Sequence, residues 1–222
     1  RPLSRGLGDV YKRQVEDFSL YGITSRSKLN AQERIDKLDK NIKIFDLQAL
    51  VDTCEIIIDC TPEEAFRDIA TKCINKERKL ITVSGSGILD NLDLEELAKT
   101  NNSQIILATG AILGLDALRA AAESNINSVT MTTRKPPNAL SNAPFVINNN
   151  IQLNNLLEPK LIFKGSATDG AKAFPANVNV AAAVGLAGIG ANKTKLEIWA
   201  DPNLKRNTHK VQVDSDLSLI HI

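Results

Sequence analysis

The sequence predicts an α/β protein, a doubly wound parallel sheet followed by an α+β domain, and three observations carry that prediction. Two apolar, β-branched runs, Glu55–Cys60 (EIIIDC) and Lys79–Val83 (KLITV), lack the polar alternation of a strand with one wet face. Each therefore reads as a strand buried on both sides. Amphipathic helical segments separate such runs, an alternation that puts parallel strands in one sheet with helices on its faces. After about residue 110 the grammar changes to an alanine-rich helix, an Asn- and Pro-rich excursion, and strands of period two. With 222 residues, 43% hydrophobic and 24% charged, the chain has room for two domains, and disordered or collagen-like architectures are excluded.

Phe18–Thr24 predicts a strand and Lys28–Leu38 a charged helix. Asn41–Phe45 predicts a short strand, after which Asp46 caps the helix LQALVD. Beyond Cys60, Thr61-Pro62-Glu63-Glu64 combines a cap, a proline and an acidic first turn, so a helix is expected to run to about Asn75. Lys79–Val83 ends at a flexible SGSG of residues 84–87, followed by a helix at Asp93–Thr100 and a strand at Gln104–Leu107. In the second half, helices are expected at Gly114–Ser124, Ala167–Phe174 and Asn179–Ile189. Strands are expected at Ser128–Thr133, Lys160–Lys164, Thr194–Ala200 and Thr208–Val213, in a mixed or antiparallel sheet, with 138–159 irregular. A nucleotide-binding sheet of this type begins with a strand, a GxGxxG turn and a helix. Here the first element already reads as the second strand, and Gly85-x-Gly87, after a later strand, is the nearest substitute for the turn.

The ends differ from the rest. Residues 1–14 (RPLSRGLGDVYKRQ) and 215–222 (SDLSLIHI) lack periodicity and resemble translated sequencing-adapter DNA, and the first has no apolar centre of the kind a signal peptide needs. The informative chain is thus 15–214, with domains at 15–110 and 111–214. The whole chain has 27 basic and 26 acidic residues, a net charge of +1, which argues against an electrostatic nucleic-acid binder. Removing Arg1, Arg5, Lys12, Arg13, Asp9 and Asp216 leaves 23 basic and 24 acidic residues. No apolar run approaches the roughly 18 residues of a membrane span, so a soluble, cytoplasmic protein without a membrane partner is expected. Three cysteines without a CxxC make neither a disulfide framework nor a zinc site. No metal is implied, because with His221 set aside His209 is the one usable histidine and the acids are scattered.

Three stretches are more specific than composition can explain. They are ATGAILGLDAL at 108–118, TTRKPP at 132–137, and FKGSA at 163–167 continuing through FPANVNVAAA at 174–183 to Ala200-Asp-Pro and Arg206-Asn-Thr-His. In this order and spacing, over about 15–214, the sequence resembles the L-aspartate dehydrogenase family of NAD(P)-dependent amino-acid dehydrogenases. The resemblance implies an N-terminal Rossmann domain and a C-terminal α+β domain that supplies homodimer contacts. It also implies NAD or NADP as cofactor and L-aspartate as a small-molecule substrate. Aspartate is oxidised to iminoaspartate, which is hydrolysed to oxaloacetate and ammonia or passed on to NAD biosynthesis. Two departures, the absent glycine-rich turn and the LSLIHI ending, mark the sequence as an internal fragment, expected to be poorly soluble or cofactor-free when expressed alone.

Residue by residue, the expectations are these. Period-two alternation places Asn207, His209, Val211 and Val213 on one face. Taken alone this reads as a core histidine bonded to Asn207, whereas the resemblance makes His209 the catalytic acid/base. An imidazole near pH 7 can take a proton from the amine and position a carboxylate. Asn177 reads as a helix cap, while by resemblance Asn179 contacts the nicotinamide carboxamide and Ala111 contacts the cofactor through its backbone. Thr24-Ser-Arg-Ser27 has no acid to hold a ribose 2′-hydroxyl, and Arg26 can accommodate a 2′-phosphate. Against that stands a plain surface arginine. Cys60 and Thr61 lie at the carboxyl edge of the sheet, where ligands bind in open α/β folds, and Ser84, Gly85 and Ser86 line the same edge. A reactive thiol at Cys60 is not expected. Lys135, with Arg134, can attract the dicarboxylate, as can Asn207, although a solvent-facing turn before Pro136 serves equally as a reading. A related dehydrogenase acting on homoserine or aspartate semialdehyde, or a non-catalytic nucleotide-binding relative, is the alternative reading of function.

Overall fold

A computed structural model describes residues 18–37, 42–108, 112–174 and 179–217. The chain divides after Ile57 into two compact units. In the first, β1 (Gly22–Ile23) pairs in parallel with β2 (Lys43–Ile44). Between them α1 (Lys28–Ile35) buries Ala31 and Ile35, and the Ser27 hydroxyl accepts from the Asn30 N–H at its start. Asp46 caps α2 (Leu47–Thr53) as expected, its carboxylate accepting from the Ala49 N–H at 2.8 Å. Both strands are shorter than the sequence suggests. A strand extends only as far as its ladder, and Phe18 and Leu20, before β1, stand exposed.

The second unit holds two sheets. In the first of these, β3 (Ile56–Asp59), whose first two residues precede the division, β4 (Lys79–Thr82) and β5 (Gln104–Leu107) lie in that order, and β4 and β5 run parallel with Leu80 opposite Ile105. The expected burial on both faces is not found: Ile57, Asp59, Leu80 and Thr82 are buried, whereas Ile58 is 67% exposed and Ile81 half-buried, so each strand has one covered face. A 3₁₀ turn at Glu63–Ala65 leads into α3 (Phe66–Asn75), which buries Phe66, Ile69, Ala70, Cys73 and Ile74 along one stripe. The expected Thr61 cap does not form, because its hydroxyl is bonded back to Asp59. The segment 84–87 is not a flexible loop either. Ser84 caps a short helix, α4 (Gly85–Leu89), whose first three residues are buried, and α5 (Asp93–Thr100) follows.

The second sheet is mixed and contains β6 (Ile126–Lys135), β7 (Lys160–Ser166), β8 (Lys195–Ala200) and β9 (Thr208–Ser215) in the order β7-β8-β6-β9. β6 is parallel to β8 and antiparallel to β9, and β7 is antiparallel to β8. Helices α6 (Leu115–Ala122), α7 (Pro144–Asn148), α8 (Ala167–Ala173) and α9 (Asn179–Ala187) complete the unit, and α7 falls within the stretch expected to be irregular. No loop separates β7 from α8. The Ser166 hydroxyl accepts from the Asp169 N–H at 3.0 Å while the Asp169 carboxylate accepts from the Ser166 N–H, a reciprocal capping box. The core beneath this sheet gathers Met131, Leu196 and Ile198 with three aromatic rings: Phe174 sits 5.4 Å from Phe145 and 5.7 Å from Phe163, centroid to centroid. Because Phe174 is fully buried, Phe174→Ala is expected to cost about 3–5 kcal/mol of stability. Urea denaturation checks this, and a midpoint within error of wild type would refute it.

Candidate active site

The carboxyl ends of β3 and β4 are tied together by one buried acid. Asp59, 2% exposed, accepts through Oδ1 from the Thr61 N–H at 2.9 Å and the Thr61 hydroxyl at 2.6 Å. Its Oδ2 accepts from the Thr82 hydroxyl at 2.7 Å. Thr82 Oγ1 accepts in turn from the Ser84 N–H at 2.9 Å, and Ser84 Oγ from the Gly87 N–H at 3.3 Å. A buried carboxylate is costly unless its lone pairs are met; here they are met by the two peptide segments that leave the sheet edge. The network therefore sets the path of 60–62 and 82–87.

Helix α9 closes on the same place. Asn179 Oδ1 accepts from the Ser86 N–H at 3.4 Å and the Ser86 hydroxyl at 3.3 Å. Gly85 permits the approach, since a Cβ there would lie 2.8 Å from Ala182 Cβ and 2.9 Å from the Asn179 carbonyl oxygen. The glycines of SGSG thus serve helix packing rather than a phosphate turn. The structure joins Thr61, Ser84 and Asn179 through Asp59, Thr82 and Ser86. Cys60 is solvent-accessible beside them, and partial desolvation followed by the Asp59 carboxylate pushes its thiol pKa up, which works against a thiolate nucleophile.

A second polar group lies on the mixed sheet. Along β6 the buried face presents Val129, Met131, Thr133 and Lys135, and the antiparallel register sets Val213, Val211 and His209 opposite the first three. The ladder turns from apolar to polar at its last steps. His209 Nδ1 lies 3.1 Å from Thr133 Oγ1, so the expected bond to Asn207 is replaced. Asn207 precedes β9 and is exposed. Burial first, and the Lys135 charge second, hold the His209 pKa below its ordinary 6.5. Lys135 is only 5% exposed, and that burial lowers its own pKa, so the reading of 134–135 as a solvent-facing turn is corrected. Arg134 bonds Asp201 at 3.3 Å and lies 5.3 Å over the Trp199 ring.

A cavity of about 290 Å³ joins Ile112 to Gly114 with Val184 of α9 and with Val211 and Val213 on the His209 face of β9. No charged residue lines it. It links the segment directly after residue 111 to that strand face. Ala111 itself and Asn177 lie outside the described residues, and Arg26 is exposed after β1 in the other unit. Sequence reasoning missed Asp59, Thr82 and Thr133; the signal was there in the polar residues ending the apolar runs IIID and KLIT. Among the described residues, no cluster of three or more His, Cys, Asp or Glu gathers to hold a metal, and no helix is long and apolar enough to cross a membrane.

Parallel strands with a polar carboxyl edge, followed by a mixed sheet carrying a histidine, give an open α/β architecture in which ligands bind at the strand carboxyl ends. Comparison with known proteins agrees. Residues 5–108 match the family model for the NAD-binding domain of homoserine dehydrogenase, and 116–222 the C-terminal model of aspartate dehydrogenase. L-aspartate dehydrogenase of Bradyrhizobium diazoefficiens is 39% identical over 217 residues, covering 95% of this chain and 78% of that protein. That of Methanococcoides burtonii is 32% identical over 209 residues, 93% of this chain and 76% of that protein. The crystal structure of aspartate dehydrogenase from Thermotoga maritima shares the fold with a TM-score of 0.73 at 24% identity, over 95% of this chain and 82% of that one. The chain belongs to the L-aspartate dehydrogenase family.

Thr82→Val leaves one Asp59 oxygen and the Ser84 N–H without their partner, which is expected to cost about 1–3 kcal/mol and to weaken NAD(P) binding. Thermal unfolding and cofactor titration test this, and unchanged values in both would remove the network from any role at the edge.

Proposed function

We propose that the protein catalyses NAD(P)-dependent oxidation of L-aspartate, with His209 as the catalytic acid/base. The observation that carries the reading is a half-buried imidazole held by Thr133 beside buried Lys135, on a chain of the aspartate dehydrogenase family. The residues at the carboxyl edge of β3 and β4 fit the nicotinamide end of a dinucleotide. There, exposed Cys60 lies between Asp59 and Thr61, whose N–H and hydroxyl Asp59 holds, and the Asn179 carboxamide stands at the first turn of α9. Cys60, Thr61, Ser84, Ala111 and Asn179 are assigned to that cofactor. When bound, NAD(P) supplies the ring carbon that accepts a hydride. His209 Nε2 takes a proton from the substrate ammonium, freeing the nitrogen lone pair. As the Cα hydrogen leaves with its electron pair, that lone pair forms the C=N bond of iminoaspartate, and water then yields oxaloacetate and ammonia. Lys135, on the same strand face as Thr133, is placed to attract a substrate carboxylate, with Asn207 a second polar candidate near the start of β9.

We put the functional boundary near residue 110, a reading supported by family-model matches that cover 5–108 and 116–222. A homodimer and a cytoplasmic location complete the reading. The homoserine name attaches to the cofactor-binding model alone, so it does not favour a homoserine substrate.

The test is nicotinamide reduction with L-aspartate in the protein expressed from its complete gene. Wild type is expected to turn over and His209→Ala to lose about 100-fold or more. Because a base works in its neutral form, and burial and Lys135 lower the His209 pKa, the acid limb of kcat/KM is expected below pH 6.5. Activity is present above that lowered pKa and lost as the pH falls through it. Lys135→Met removes one of the two causes and should move the limb up toward 6.5. Wild type without aspartate turnover would refute the reaction, and a limb at or above 6.5 would refute the histidine's environment.

We further infer that Arg26 accommodates a 2′-phosphate, since no acid stands after β1 and Ser27 is engaged in capping α1. Arg26→Ala should weaken NADP about tenfold and leave NAD unchanged; equal effects on both would sink the assignment.

A further inference from the structure

The geometry points to Thr133 as the positioning residue of the site: its hydroxyl accepts from the Nδ1–H of His209, which leaves Nε2 as the nitrogen that exchanges a proton with substrate. The proposal rests on the reading of His209 as the acid/base and adds how that side chain is held. Thr133 is 3% exposed, so the contact its oxygen makes is shielded from water and strengthened. The partner the structure provides is the imidazole, 3.1 Å away across the β6/β9 pair. The steps before it on the same face, Val129 opposite Val213 and Met131 opposite Val211, are wholly apolar. Packing alone would be served at 133 by valine, which has the same shape, so the distinguishing atom is the oxygen aimed at His209.

The chemistry follows from the two nitrogens. In the neutral imidazole one nitrogen carries the proton and the other accepts, and the hydrogen bond on one settles the role of the other. With Nδ1–H donating to Thr133, Nε2 holds a lone pair and can take the amine proton. In the resulting imidazolium, Nδ1–H still donates to the same oxygen, so the ring need not turn between the two states. A neutral hydroxyl also adds no negative charge beside the ring. It fixes orientation without favouring the cation, unlike the carboxylate that pairs with histidine in many hydrolases.

The experiment compares wild type, Thr133→Val and Thr133→Ser in aspartate turnover and in the imidazole ¹⁵N spectrum, with His209 assigned by its loss in His209→Gln. Wild type should show one tautomer, protonated at Nδ1. Thr133→Val should show mixed tautomers and a kcat lower by about 10- to 100-fold, with KM for aspartate little changed, and Thr133→Ser should recover the wild-type tautomer and most of kcat. If Thr133→Val does not fold, Thr133→Ala is judged by the same readouts. Turnover and tautomer both untouched by loss of the hydroxyl would overturn the proposal. So would a loss of turnover with the wild-type tautomer intact, or one that serine does not rescue, since either marks a packing role. Wild type that turns over no aspartate overturns the functional reading instead, and the spectrum tells the two failures apart.

Discussion

The register of β9 against β6 is the constraint on which the mixed sheet and its histidine depend. Side chains alternate strictly along a strand, so a slip of one residue would carry His209, Val211 and Val213 to the opposite face together. The valines anchor the register by lying opposite Met131 and Val129 in the core, and the histidine is carried along. Ordinary hydrophobic burial thus places a polar group. The same alternation brings Lys135 under cover at the end of β6; burial of the imidazole first, and the Lys135 charge second, lower the His209 pKa.

The carboxyl edge of β3 and β4 rests on a different kind of interaction. Asp59 is a carboxylate taken almost wholly out of water, and three donors from two segments are required to keep it there. That requirement makes the edge directional: the bonds run from Thr61 through Asp59 and Thr82 to Ser84, and α4 begins at that cap. Gly85 then lets α9 approach close enough for Asn179 to meet Ser86. An acid, two threonines, a serine and a glycine, unremarkable singly, form one continuous support.

Much of this was legible in the linear sequence. The strands announced themselves as apolar runs, the helices by period, and the His209 face by alternation, but burial on both faces did not follow, since Ile58 in the middle of β3 is 67% exposed. Asp46 capped α2 as its position before LQALVD implied. The misreadings share a cause. Thr61 had the credentials of a helix cap and SGSG those of a loose turn, yet Asp59, which takes Thr61 from two residues away, is itself held by Thr82 across 23 residues, and Ser86 of SGSG meets Asn179 across 93. Local propensity gives way when a distant buried polar group needs a partner. Asn207 was the nearer candidate for His209, but it falls before β9 begins, while Thr133, 76 residues away, stands directly across the ladder.

Sequence by itself determined the order of most elements, the change of architecture after about residue 110, and the strand face that carries the histidine, because these follow from periodicity within short windows; that the second sheet is mixed, and that 85–89 and 144–148 are helical, came from the structure. The family was also legible, since its motifs are contiguous. Only the tertiary structure decided which polar side chains meet. Those pairings depend on strand register and on how closely two helices pack, and both are set by the sum of many apolar contacts rather than by any residue that takes part in the bond.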